Sequence, residues 1–123
     1  MQSDNEKFKV EFKRRLYHWV LRLVKYIDSL PKDSVCRTIG DQLLRSGTSV
    51  LANYIESSAA SSRKDFINFF THSLKSANES KMWLTLLRDT SKGGKAELEW
   101  LLKELIELAN VLGSSIITLK GRK

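Results

Sequence analysis

Residues 43–56 read Leu-Leu-Arg-Ser-Gly-Thr-Ser-Val-Leu-Ala-Asn-Tyr-Ile-Glu. Leu43, Gly47, Val50 and Tyr54 recur at steps of three and four and so share one helical face, with Leu44, Leu51 and Ile55 in a second row beside it. Ser46, Gly47, Thr48, Ser49 and Ala52 are all small. Helix propensity alone disfavours such a run. Small side chains on a packed face let another backbone approach closely, and that is what the stretch predicts: the middle of a helix over about 34–58, pressed against a neighbour.

The same periodicity continues on both sides. Phe8, Phe12, Leu16, Val20, Leu23, Ile27 and Leu30 line one face of a helix over about 8–30. Pro31 stops it, because the ring cannot continue the hydrogen-bond ladder. Asp33 or Ser34 can cap the helix that follows. Ser57 to Ser62 is a connection, and Ser62 with Asp65 resembles a capping box with Asp in place of Glu. A third helix, about 63–90, places Phe66, Phe70, Ser73, Ala77, Leu84 and Leu87 together. Gly93-Gly94 suits the left-handed conformation at its end. Leu98, Leu101, Leu105, Leu108, Leu112, Ile116 and Leu119 mark a fourth helix over about 95–120.

Four helices with short connections predict an all-α fold, an antiparallel up-down-up-down four-helix bundle spanning residues 1–123 as one domain. Length and composition agree. The chain has 123 residues, 41% hydrophobic and 28% charged, with only six Gly and one Pro. Such punctuation is too sparse for a turn-rich β fold. No apolar run approaches the roughly 20 residues of a membrane span. The N-terminus is polar, with no apolar signal region behind it. A single cysteine, Cys36, permits no intrachain disulfide and points to a reducing, cytoplasmic setting.

The chemistry of a site is hard to find. Gly93-Gly94 has no strand before it, so it is no phosphate cradle. His18 and His72 lack a second ligand at metal spacing. Cys36 beside Arg37 reads as a small packing residue. The sequence predicts no enzyme, no metal and no cofactor. Arg45, Asn53, Glu56 and Glu79 fall on or beside apolar faces, where polar groups pair between helices and fix register. Arg45 and Arg63 are the expected partners of the two glutamates.

Charge carries the remaining signal. Lys and Arg number 21 against 14 Asp and Glu, a net charge of +7. The excess sits mainly in residues 1–30 and 61–92, each at +3. A pI near 9.7 favours attraction to phosphate. The candidate contacts are Lys7, Lys13, Arg14, Arg15, Arg22 and Lys25 on the first helix, then Lys120, Arg122 and Lys123 in the tail. Nothing resembles a base-reading helix, so binding of RNA or DNA would run through the backbone. The apolar faces are wider than a lone bundle needs, and Trp19, Trp83 and Trp100 cannot all fit one narrow core. Surplus apolar surface predicts a homo-oligomer.

Gln42 to Glu56, Ser62-Arg63-Lys64-Asp65-Phe66, and Ser76-Ala77-Asn78-Glu79-Ser80-Lys81-Met82-Trp83-Leu84 follow one another in a characteristic order. They resemble the bacterial four-helix bundle proteins encoded in intervening sequences of large-subunit ribosomal RNA genes. The same family includes the accessory variability determinant of diversity-generating retroelements. The resemblance implies a cytoplasmic homopentamer. In the retroelement branch it implies a basic ring that binds RNA or DNA and contacts a reverse transcriptase. Gln42, Arg45, Ser49, Asn53, Glu56, Phe66, Glu79, Trp83 and Leu84 occupy matching positions and read as packing and register residues. Leu51 and Ala59 depart from the pattern, and Ala59 removes one possible phosphate contact. A structural adaptor with incidental charge is the alternative.

Overall fold

The computed structural model describes residues 3–121. Four helices follow in order: α1 (Asp4–Asp28), α2 (Ser34–Ser57), α3 (Arg63–Asp89) and α4 (Lys95–Lys120). At 1.5 Å per residue they are rods of about 36–40 Å. Each helix packs on two others, α1 on α2 and α4, and α3 on α2 and α4, with no close packing across the diagonals. The Phe12 ring meets Tyr54 at 5.1 Å, while later in α1 Ile27 lies against Gly40. The start of α1 therefore meets the end of α2, the antiparallel arrangement of an up-down-up-down bundle.

The helix starts follow their capping chemistry. The side chain of Ser3 accepts from the Glu6 N–H, Asp33 from Cys36 and Ser62 from Asp65. Helix α1 thus begins at Asp4, four residues before the first apolar stripe position. A cap and two acidic residues in the first turn, Asp4 and Glu6, carry it there without any buried side chain. The end of α3 also differs from the expectation. Ser91 (φ +56°) takes the left-handed position, and the Lys92 N–H donates to Leu87 O at 2.9 Å, a Schellman closure. Gly93 (φ +74°) serves a close approach instead: a β-carbon there would run into Tyr26 and Leu30, which plug this end of the bundle.

The core is the union of the four stripes. Leu16, Trp19, Leu23, Leu43, Leu84, Leu101, Leu105 and Leu112 are fully buried. The three tryptophans separate as their spacing requires: Trp19 is enclosed, whereas Trp83 and Trp100 are half-buried. The Trp19 indole N–H donates to the Leu101 carbonyl at 2.9 Å, which satisfies its one polar atom inside the core. Cys36 is buried, and burial together with the neighbouring Asp33 pushes its thiol above the ordinary value, so it is a packing residue. Burial likewise pushes Tyr26 up to about 12, with Cys36 adding to the shift.

The small residues of α2 serve two neighbours. A β-carbon on Gly47 would run into Leu23 Cδ2 and lie against the Trp19 ring, so Gly47 admits α1. Ser46 faces α3 and shares a 2.8 Å hydrogen bond with Ser80, and the Ser73 hydroxyl donates to Val50 O at 2.7 Å. The Asn53 amide donates to the carbonyl and hydroxyl of Ser49, whose hydroxyl also accepts from Ser76 at 2.9 Å. Arg45 pairs with Glu79, and the Trp83 indole donates to the same carboxylate. Register between α2 and α3 is therefore set by the Arg45–Glu79 pair and by Ser46, Ser49, Ser73, Ser76 and Ser80, while Asn53 acts within α2 by holding Ser49. Glu56 does not take part: it is exposed, and its expected partner Arg63 donates to the Leu119 carbonyl, tying α3 to α4.

Candidate nucleic-acid interface

The six candidate cations of α1 divide into two groups. Arg15 donates to both oxygens of Glu104 at 2.7 and 3.1 Å, with Glu107 at 3.9 Å. Arg22 grips Glu97 in the same bidentate way at 2.6 and 2.9 Å. The Arg22 guanidinium also lies 3.5 Å from the centroid of the Trp100 ring. The hydrogen bonds to the glutamates raise the proton affinity of both arginines above the ordinary value. The hydrogen bond from Arg22, with its charge, holds Glu97 below the ordinary carboxylate range against the opposing pull of desolvation. Arg15 and Arg22 thus join α1 to α4, each spending two of its five donors and its charge on a glutamate.

Lys7, Lys13, Arg14 and Lys25 are exposed and make no ion pair among the described residues. Steps of seven and eleven residues put Lys7, Arg14 and Lys25 on one side of α1, in a row about 27 Å long. Lys13 points elsewhere, to the open end of the bundle, where it lines a groove. Lys120 is exposed at the end of α4. Arg122 and Lys123 lie outside the described residues. Lys64 and Lys75 on α3 are also exposed and unpaired among the described residues. The +3 of residues 61–92 was the sequence signal for them. Because α1 and α3 occupy diagonal corners, the two cation rows face away from each other.

Two apolar faces complete the surface. On the α1–α2 side Tyr17 (60% exposed), Val24, Leu44 and Ile55 stand open. On the opposite α3–α4 side Ile106 and Ile117 (74% exposed) border a shallow recess beside Gly113 and Leu74. Among the described residues no group of three or more His, Cys, Asp or Glu could hold a metal ion. None of the described helices is long and apolar enough to cross a membrane.

The family model for the 23S rRNA-intervening sequence protein matches residues 9–114, nearly the whole bundle. The chain belongs to that family. A crystal structure from Bacteroides thetaiotaomicron, described as a protein of unknown function from the S23 ribosomal protein family, is similar to it. The two are 34% identical and superpose with a TM-score of 0.79, over 85% of this chain and 97% of the other. No curated protein matches. Arg45, Ser49 and Glu79 make polar contacts along the α2–α3 boundary, with Asn53 bonded to Ser49 and Trp83 to Glu79 within their own helices.

Proposed function

We propose that this intervening sequence protein is a non-enzymatic, cytoplasmic accessory protein that assembles with copies of itself and binds RNA or DNA through phosphates. The observation that carries the reading is the row Lys7, Arg14 and Lys25, which remains exposed after the α1–α4 ion pairs are formed on a chain of net charge +7. Three cations displace few counterions, so a single copy grips phosphate weakly. Pooling rows from several copies remedies this. The opposed apolar faces favour head-to-tail contacts between copies, which close into rings when the rotation permits. A pentamer is the ring the family resemblance implies, with a reverse transcriptase as protein partner in the retroelement setting.

Retention of labelled duplex DNA and structured RNA between ~50 and ~200 mM salt tests the reading. A steep fall is expected, and the log–log slope shrinks by about one per subunit contact for each of Lys7→Gln, Arg14→Gln and Lys25→Gln. Arg22→Gln leaves the slope unchanged. Absence of retention at ~50 mM salt overturns nucleic-acid binding. It would favour the second reading, an oligomeric adaptor, which draws support from the two arginines already spent on glutamates.

A further inference from the structure

The two ends of the bundle are built differently. Tyr26, Leu30 and Gly93 plug one end, where the Tyr26 hydroxyl donates to the Lys92 carbonyl. The other end is open. There a groove of about 750 Å³ runs between the start of α1, the ends of α2 and α4, and the start of α3. Its volume falls within the roughly 300–1,000 Å³ of small-molecule sites.

The groove is carbon inside and cationic at the rim. Phe12, Tyr54 and Phe70 form the floor, with Phe8 (53% exposed) and Phe66 as walls. Ser57, Ser58 and Ser115 turn their hydroxyls onto carbonyls of their own helices, at 2.6, 2.8 and 2.8 Å. These three offer an occupant little, and although Asn5, Asn110, Ser114 and Thr118 also line the groove, the aromatic floor suits an apolar chain. A more polar recess adjoins the groove, sharing Lys9, Ser57, Ser58 and Phe66 and adding Ser62 and Arg63. Arg63 spends one donor on Leu119 O and has others left. The charged residues lining the two recesses are Lys9, Lys13 and Arg63; among the described residues no carboxylate lines either.

We propose that this open end binds a single-chain fatty carboxylate, its acyl chain lying over the aromatic floor and its head group held by Lys9 and Arg63. The proposal is independent of nucleic-acid binding. Calorimetric titration of the full chain with dodecanoate and with dodecan-1-ol, each below its aggregation threshold, tests it. One dodecanoate per chain is expected, bound about tenfold more tightly than the alcohol. Lys9→Gln and Arg63→Gln each weaken dodecanoate several-fold and leave the alcohol unchanged, while Phe8→Ala weakens both alike. Lys9 and Phe8 are exposed, so Lys9→Gln and Phe8→Ala melt with the wild type and keep folding separate from binding. Arg63→Gln also gives up its bond to Leu119 O and is read by its unchanged affinity for the alcohol. Equal affinity for the two ligands, no saturable binding, or dodecanoate binding indifferent to Lys9 and Arg63 overturns the proposal. So does occupation of the groove by a second copy or an acidic peptide in place of dodecanoate.

Discussion

The α2–α3 and α1–α4 boundaries join helices of similar length by opposite means. Between α2 and α3 the helices come closest, and the contact is made of Ser46, Ser73, Ala77 and Ser80, with hydroxyls bonded across it. Between α1 and α4 the helices stand further apart, and Trp19, Leu16, Leu101 and Leu105 fill the gap. Arg15 and Arg22 then close the outer edge on Glu104 and Glu97. A near boundary is specified by what is small enough to fit, a distant one by what is large enough to fill it. The second arrangement has a functional cost: it removes two arginines from the surface otherwise available to phosphate.

The contrast can be broken from either side. Trp19→Ala empties the α1–α4 boundary and strands no polar group there, so the loss is that of a large core residue, about 3–5 kcal/mol. Chemical denaturation measures it. Ala77→Leu does the reverse, forcing a side chain into the α2–α3 boundary where Ala77 has no exposed surface. A loss of about 1–3 kcal/mol or more is expected from such overpacking. If deletion proved harmless and insertion proved harmless, neither boundary would be packed as described.

Smaller changes sharpen it. Ser73→Ala removes the hydroxyl bonded to Val50 O, but that carbonyl keeps its intrahelical partner, so the cost is about 0.5–1.5 kcal/mol. Replacing Ser46 and Ser80 together by Ala removes both partners of one bond and costs less than the sum of the single changes, which a double-mutant cycle reads directly. The smallest effect belongs to the exposed edge. Glu97 titrates below its ordinary value of 4.5 in the folded chain, so its contribution is complete above that value. It is lost as pH falls through the lowered one. Thermal melts of Glu97→Gln should fall slightly below the wild type near neutral pH and converge with it in acid.

Much of this was legible in the sequence. The steps of three and four in Leu98 to Ile116 announce a helix because a bundle core demands that spacing, and the small run at Ser46 to Ser49 announces a close approach. Arg45 with Glu79 was readable for the same reason. The fate of Arg15 and Arg22 was not, because their partners lie 89 and 75 residues away on α4. Periodicity reports which face of a helix is apolar, not which neighbour stands beside its edge. The left-handed Ser91 was not legible, because a serine in that conformation is uncommon and two glycines follow two residues later. The open end escaped as well, since its aromatic rings come from α1, α2 and α3 and join only when those helix ends meet.

The enclosure of Trp19 has an optical consequence. Its indole is shut away from solvent while those of Trp83 and Trp100 are reached by it. A collisional quencher such as iodide should therefore dim the emission of two tryptophans and spare the third. The spared light becomes open to the quencher once α1 parts from α4 or from α2, so the chain carries its own gauge of whether α1 is seated.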